Sequence, residues 1–302
     1  ADGLGRSLAG FDGTTGEELP GASMQVIDPE TGDVVEEWVS GEQPHIIKKL
    51  TYGKTYVLRE DLAPLGYYVA SEIEFTVGYH VKVEMKDEPT KVELSKQDAV
   101  TGEELPGASM QIIEPETGEA IEEWISGEEP HMVTGLEIGK TYILHEDLSP
   151  LGYYVAQDVE FIVSENPEEI TKVVMKDEPS RIELSKQDAT TGKELPGAHL
   201  QITDPETGDV VKEWISADKP EIIYGLEIGK EYILTETIAP KGYVLSSEEI
   251  SFVVGQEKKV VMKNERIVYG DAIKTGDPTA MGAMTVLMLM AGLTMMAALK
   301  RE

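Results

Sequence analysis

The chain has 302 residues, a formal net charge of −31 at pH 7 and no cysteine. So large an acidic excess repels phosphate groups and argues against nucleic acid as a partner, while the lack of cysteine excludes disulfide cross-links. Hydrophobic residues make up 40% of the sequence, a share that argues against an intrinsically disordered chain.

One stretch of sequence occurs three times along the chain. The residues from Thr15 to Gln25 recur letter for letter from Thr101 to Gln111, and in lightly changed form from Thr191 to Gln201. A repeat of this length can bury a small core of its own, so each copy is expected to be a whole domain. We call the copies module one (residues 1–89), module two (residues 90–179) and module three (residues 180–266).

Module three shows the expected elements most clearly. Alternating apolar residues predict a first strand at 181–186 and a second strand that begins at 200–202. Residues 204–209 carry Pro and Gly in turn positions, which predicts a return strand through Trp214. The remaining strands are predicted at 221–224, 231–236, 250–254 and 258–263, the last two as a final pair.

Short strands separated by turns predict an all-β fold of three tandem Ig-like or prealbumin-like β-sandwich domains. No segment before the C-terminal tail has helical periodicity. Module two carries the same strands with a longer last hairpin, whose tip at 164–169 is given no function. Module one is expected to have a degenerate first strand, because residues 6–11 are short and contain glycine.

Three polar residues in each of modules two and three continue strand faces that are otherwise apolar, since side chains two apart share a face. They are Lys96, Glu146 and Asp177 in module two, and Lys186, Glu236 and Asn264 in module three. Burying such groups is costly unless they satisfy one another. The alternative is that each lysine is exposed at a strand end and each glutamate serves a turn.

These residue types suggest a reaction between side chains. Burial disfavours the charged lysine, and the neutral amine is a nucleophile. A buried glutamate keeps its proton and can polarise a carbonyl and shuttle protons. Attack by the amine would give an amide and release ammonia from Asn264 or water from Asp177. The bond would join the first strand of each module to its last.

Residues 232–243 follow the pattern Tyr-x-Leu-x-Glu-x-x-Ala-Pro-x-Gly-Tyr, and this segment recurs at 56–67 and at 142–153, where Ser149 replaces the Ala. The pattern resembles the E-box of Gram-positive pilins and adhesins. With the opening Lys-Gln-Asp at 186–188 and the closing Val-Met-Lys-Asn at 261–264, residues 1–266 resemble the SpaA-type prealbumin-like domain, also called the collagen-adhesin B-type (CnaB) domain.

The resemblance implies an intramolecular isopeptide bond in which the glutamate is the catalyst. It assigns the catalytic role to Glu146 and Glu236, and the bonded positions to Lys96, Asp177, Lys186 and Asn264. Module one departs from the pattern because Gly10 stands at the lysine position while Glu60 and Asp87 remain. No isopeptide bond is expected there.

The C-terminal tail predicts an anchor. A linker at 267–279 precedes the uncharged apolar run 280–299, which is long enough for a transmembrane helix, and the basic residues in 300–302 fit a cytoplasmic tail. A buried core helix is the alternative. Thr275 and Gly276 resemble the end of a sortase signal without its Leu-Pro, so sortase cleavage with attachment to peptidoglycan and a plain membrane anchor both remain open.

These features predict a Gram-positive cell-surface protein, a structural or adhesive stalk such as an adhesin stalk or a minor pilin. The alternative is an array that binds a host extracellular protein or glycan directly. No enzyme activity is expected beyond self-crosslinking, and no cofactor or metal, since the five histidines lack ligand spacing. The three Trp residues are expected in the core. His45 and His131 share a position that Glu221 takes in module three, so no common role is expected.

Overall fold

The computed structural model describes residues 6–268, and its regular elements in that range are all β-strands. Module one contains β1 Arg6–Asp12, β2 Ser23–Ile27, β3 Val34–Val39, β4 His45–Ile46, β5 Thr55–Leu62, β6 Ile73–Thr76 and β7 Val81–Asp87. Module two contains β8 Lys91–Asp98, β9 Ser109–Ile113, β10 Ala120–Ile125, β11 His131–Thr134, β12 Thr141–Leu148, β13 Val159–Ile162 and β14 Thr171–Asp177. Module three contains β15 Arg181–Asp188, β16 His199–Thr203, β17 Val210–Ile215, β18 Glu221–Tyr224, β19 Glu231–Ile238, β20 Ile250–Val253 and β21 Lys259–Asn264.

Each module has a four-stranded and a three-stranded sheet. In module two the orders are β10-β9-β12-β13 and β11-β8-β14, and the other two modules repeat them. The first and last strands of each module are parallel neighbours, which places the two ends of a module side by side. In module two, Lys96 lies opposite Met175 and Asp98 lies opposite Asp177.

The core of each module lies between the inner faces of its sheets. In β12 every second side chain from Tyr142 to Glu146 is buried, as strand alternation predicts. The core of module two joins residues such as Met110, Leu144 and Met175 from both sheets. Because first and last strands both face this core, any polar side chain on their inner faces is removed from water.

The prediction of a degenerate first strand in module one is wrong. Strand β1 runs from Arg6 to Asp12, and all of its residues are paired with β7. The ladder is made by backbone groups, which Gly10 supplies as well as any residue does. Glycine at that position removes a side chain but leaves the strand intact.

The final pair of strands predicted for module three is also wrong. Strand β20 pairs with β19, whereas β21 pairs with β15 in the other sheet. The connection in module two that contains residues 164–169 likewise joins β13 of one sheet to β14 of the other, so it is not the tip of a hairpin. Alternation identifies the faces of a strand but does not identify its partner.

The described chain forms two compact units. One comprises the chain up to Arg181 with Ile223–Lys230, and the other comprises Ile182–Ile222 with the chain from Glu231 onward. Within residues 6–268 no helix is long and apolar enough to span a bilayer. The predicted transmembrane helix at 280–299, the tail 300–302 and the sortase-like Thr275 and Gly276 lie outside the described residues.

Candidate functional site

In module two the structure brings the three predicted residues together. Lys96 is the last inward-facing residue of β8, Glu146 lies on β12 of the opposite sheet, and Asp177 ends β14. Lys96 Nζ is 2.9 Å from Glu146 Oε1 and donates a hydrogen bond to Asp177 Oδ1. The lysine is 3% exposed, the glutamate 1% and the aspartate 0%, so the cluster is closed to solvent.

Module three repeats the arrangement with an amide in place of the acid. Lys186 Nζ is 3.1 Å from Glu236 Oε1, and Asn264 Nδ2 donates to both oxygens of Glu236 at 2.8 Å. All three residues are buried. The lysine and the amide therefore meet at one carboxyl oxygen, whereas Asn264 Oδ1 has no hydrogen-bond partner.

Burial shifts the pKa values within these clusters. Desolvation lowers the pKa of Lys186 even though the neighbouring Glu236 opposes the shift, which favours a neutral amine. Desolvation raises the pKa of Asp177 to about 6; Lys96 opposes this shift, and Glu146 adds to it. A neutral amine and a protonated acid are the forms in which a lysine and a carboxyl group can condense.

A backbone N–H group orients each glutamate. Ala156 N donates to Glu146 Oε2 at 2.6 Å, and Ser246 N donates to Glu236 Oε2 at 2.8 Å. Both donors follow their glutamate by ten residues. This hydrogen bond holds one oxygen in place, so the other oxygen faces the lysine.

Module one has the acids without the amine. Gly10 lies opposite Met85 in the ladder, as Lys96 lies opposite Met175, so Gly10 occupies the lysine position. Glu60 and Asp87 are 3% and 1% exposed. Burial, followed by the proximity of Glu60, raises the pKa of Asp87 to about 8, and burial also raises the pKa of Glu60. The pair therefore retains a proton near neutral pH.

Sequence analysis missed a tyrosine–aspartate hydrogen bond beside each cluster. Tyr153 of the E-box donates its hydroxyl to Asp98 Oδ2 at 2.6 Å, and the equivalent bonds in modules one and three measure 2.8 and 2.7 Å. Burial and the aspartate raise the pKa of Tyr153 to about 12. The bond ties the end of the first strand to the E-box loop. The recurring Asp of Lys-Gln-Asp and the final Tyr of the E-box were the available signals.

His45 and His131 have matching surroundings, while the prediction that they have no common role stays a prediction. Each imidazole stacks on a Trp ring at 4.4 Å, and each Nε2 contacts a glutamate, Glu36 at 2.8 Å and Glu122 at 2.6 Å. Trp38 and Trp124 are partly buried and pack against the cores of their modules. They lie against the core rather than within it, with one face covered by histidine, and Trp214 is likewise half-buried. Within residues 6–268, no group of histidine and acidic residues has the geometry of a metal site.

Comparison with known proteins identifies the repeats. The profile of the SpaA prealbumin-like fold domain matches residues 7–89, 90–179 and 180–266. No match was found among curated proteins.

Solved structures with a similar fold include the Bacillus anthracis TIE protein, at 25% identity and a TM-score of 0.43, covering 86% of this chain and 50% of that chain. A streptococcal ancillary pilin matches at 17% identity and a TM-score of 0.39, covering 87% and 99% of the two chains. BcpA, the major pilin subunit of Bacillus cereus, matches at 16% identity and 0.33, also covering 87% and 99%. The chain thus spans about half the length of the B. anthracis protein.

Proposed function

The chain belongs to the SpaA family of prealbumin-like fold domains, and from this premise we propose that it is a structural stalk on the surface of a Gram-positive cell, cross-linked by isopeptide bonds in modules two and three. The observation that carries the proposal is the buried cluster of lysine, glutamate and acid or amide that bridges the first and last strands of both modules. Two separate modules place a lysine, a glutamate and an acid or amide in the same positions. A lysine exposed at a strand end would not have this geometry.

In module three the neutral Lys186 Nζ attacks Cγ of Asn264. Glu236 contacts both reacting groups, because its Oε1 lies 3.1 Å from Lys186 Nζ and 2.8 Å from Asn264 Nδ2. Glu236 then carries one proton from the lysine nitrogen to the leaving nitrogen. The Cγ–Nδ2 bond breaks, ammonia leaves, and an amide between Nζ and Cγ remains while the glutamate regains its original form.

In module two the acceptor is a carboxylic acid. Lys96 Nζ attacks Cγ of the protonated Asp177, and Glu146 moves one proton from the nitrogen to the departing hydroxyl group, which leaves as water. Condensation in water is normally unfavourable for a carboxyl group and an amine. The burial of all three residues excludes water and holds the reacting groups together, which favours the amide.

The bond stabilises each module by joining strands that are far apart in sequence. By analogy with disulfides, closing a loop of roughly 80 residues contributes on the order of 4 kcal/mol. The bond also gives a pulling force a covalent path from β8 to β14 and from β15 to β21. A surface stalk that must resist traction would gain from such a path, and this is the function that the geometry supports best.

Proteolytic digestion of the denatured protein, followed by mass spectrometry of the peptides, tests the proposal module by module. The expected products are one branched peptide that contains Lys96 and Asp177 and another that contains Lys186 and Asn264. The Glu236→Ala variant should release the linear peptides from module three while the branched peptide of module two persists. Linear peptides from both modules of the unaltered protein would refute the proposal.

The tail supplies the attachment. The run 280–299 crosses the membrane with 300–302 on the cytoplasmic side, which leaves the three modules outside the cell. Fractionation of cells that express the chain tests this arrangement, because a membrane anchor leaves the protein in the detergent-soluble membrane fraction. Sortase cleavage between Thr275 and Gly276 would instead place it in the wall fraction, and a Thr275→Ala variant would return it to the membrane.

A further inference from the structure

A second polar network lies on the outer side of the lysine strand, and nothing in the reaction described above uses it. Strand β11 pairs with β8 only as far as Leu94, so the next residues of β8 have no neighbouring strand on that side. The loop at 103–105 takes that place. Leu105 N donates to Lys96 O at 2.7 Å, which fixes the carbonyl of the reacting lysine.

The side chain of Glu104 occupies the same gap. Its Oε2 accepts a hydrogen bond of 3.2 Å from the backbone N–H of Lys96, and its Oε1 accepts one from the Ser95 hydroxyl. Gln97 Nε2 donates to Ser95 Oγ at 2.8 Å and to Glu104 Oε1 at 3.3 Å. The residues on both sides of Lys96 and its own peptide group are therefore bound to one carboxylate.

Module three repeats the side-chain part of this network around its lysine. Ser185 donates to Glu194, Gln187 Nε2 donates to Ser185 Oγ at 2.8 Å, and Leu195 N donates to Lys186 O at 2.7 Å. Module one keeps the backbone bond, from Leu19 N to Gly10 O at 2.8 Å, but has lost the side-chain network together with the amine. The Ser-Lys-Gln triplet is replaced by Ala9, Gly10 and Phe11, although Glu18 remains at the carboxylate position. The side-chain network is thus present in the two modules that have a lysine at this position and absent from the one that does not.

We propose that Ser95, Gln97 and Glu104, with Ser185, Gln187 and Glu194 in module three, are positioning residues for isopeptide formation. They hold the backbone on both sides of the lysine in place. The lysine side chain therefore starts from a fixed Cα position and extends toward the glutamate and the acceptor on the other face of the strand. This inference depends on the proposed function. Since a displacement of about 1 Å can slow a reaction by as much as 10²-fold, loosening this hold on the backbone should slow bond formation without preventing it.

The test is a time course of bond formation in newly made protein. The full chain is produced by cell-free translation, quenched in acid at intervals and digested, and the branched peptide of module three is quantified. Glu194→Ala should slow its appearance on the order of tenfold or more. Glu194→Gln keeps an acceptor for Ser185 and should restore most of the rate. Glu249→Ala removes an exposed carboxylate of the same module outside the network and serves as the matched control.

A second measurement distinguishes positioning of the lysine from a purely structural role. The thermal unfolding of the double variant Glu194→Ala, Glu236→Ala is also measured, because module three forms no bond in this protein. The time course is run at a temperature at which the double variant is fully folded. A slowed reaction in a folded module supports positioning. An unchanged rate, or a Glu194→Gln rate as low as that of Glu194→Ala, overturns it. If the unaltered chain forms no branched peptide, the proposed function itself fails.

Module one offers an independent test should Glu194→Ala fail to fold. The Gly10→Lys variant supplies the amine alone, and the triple variant Ala9→Ser, Gly10→Lys, Phe11→Gln supplies the amine with the network. The triple variant should form the bond between the introduced amine and Asp87 faster by on the order of tenfold or more. Equal rates in the two variants overturn the proposal.

Discussion

Gly10 is the residue that distinguishes module one chemically from the other two. It lies at the lysine position of the ladder between two acids that the fold still buries. A Cβ atom at Gly10 would meet nothing closer than Leu19 O at 3.8 Å, and the glycine does not have a positive φ. Neither space at Cβ nor backbone conformation prevents a side chain there.

Gly10→Lys is therefore expected to create a third isopeptide bond. The new amine would stand where Lys96 stands in module two, with Glu60 as catalyst and Asp87 as acceptor. The intact protein should lose one further water relative to its sequence mass, as measured by mass spectrometry under denaturing conditions. Gly10→Met, with a similar side chain but no amine, is the control. A Gly10→Lys protein that keeps this water would show that module one lacks more than the amine.

The buried acid pair also predicts how the stability of module one depends on pH. The pKa of Asp87 is raised to about 8 in the folded protein, against an ordinary value of 3.8. Between these values the folded state binds a proton that the unfolded state has released. The free energy of unfolding is therefore highest below the unfolded pKa and falls as the pH rises toward 8.

Denaturant titrations between pH 5 and 8 measure this effect in module one, because the proposed cross-links would keep the other two modules folded to higher denaturant. Asp87→Asn leaves a single buried acid and should flatten the dependence on pH. A stability of module one that rises with pH, or an Asp87→Asn protein with the same slope as the unaltered chain, would contradict the assignment.

At the scale of strands, local pattern predicted burial well and pairing poorly. Alternation alone placed Lys96 and Glu146 on inner faces, where the structure has them. It could not reveal that β20 and β21 belong to different sheets, because each strand buries the same side chains whichever sheet it joins. It also discounted β1, since a ladder of backbone hydrogen bonds leaves little trace in side chains. The bond between Tyr153 and Asp98 joins segments with no local relation and was missed for the same reason.

The E-box loop of module one makes a close backbone contact that predicts a sensitive glycine. Gly66 has φ = 84°, and a Cβ added there would lie 2.2 Å from Gly135 O. Its carbonyl also accepts a hydrogen bond of 2.8 Å from Thr90 N. A side chain at Gly66 would force these backbone segments apart.

Gly66→Ala should destabilise the protein well beyond the ~1–2 kcal/mol that a left-handed backbone costs an alanine. Gly16→Ala is the matched control, since Gly16 has φ = 73° and nothing within 4 Å of an added Cβ. Limited proteolysis should cut the Gly66→Ala protein faster near Thr90. Equal effects of the two substitutions on unfolding and proteolysis would show that the contact with Gly135 is unimportant.

The three modules are expected to respond unequally to a pulling force. The proposed bonds between the first and last strands would leave modules two and three nothing to extend, whereas β1 and β7 of module one are joined by a parallel ladder and have no lysine at position 10 to form such a bond. Module one should therefore be the one module that unfolds and lengthens under force. A chain of roughly 80 residues at about 3.4 Å each would lengthen by on the order of 250 Å.

Single-molecule pulling on the full chain should show one such extension per molecule, and Gly10→Lys should abolish it. Two or three extensions of similar length in the unaltered chain would mean that modules two and three are not closed by covalent bonds. An extension that persists in a Gly10→Lys protein already shown to have lost water would mean that the yielding element lies elsewhere.

The mass of the intact, denatured chain decides whether modules two and three contain isopeptide bonds. Bonds from Lys96 to Asp177 and from Lys186 to Asn264 predict a protein lighter than its sequence by one water plus one ammonia. The double variant Glu146→Ala, Glu236→Ala should have its full sequence mass. An unaltered chain at its full sequence mass would mean that the lysine clusters of modules two and three are buried but unreacted.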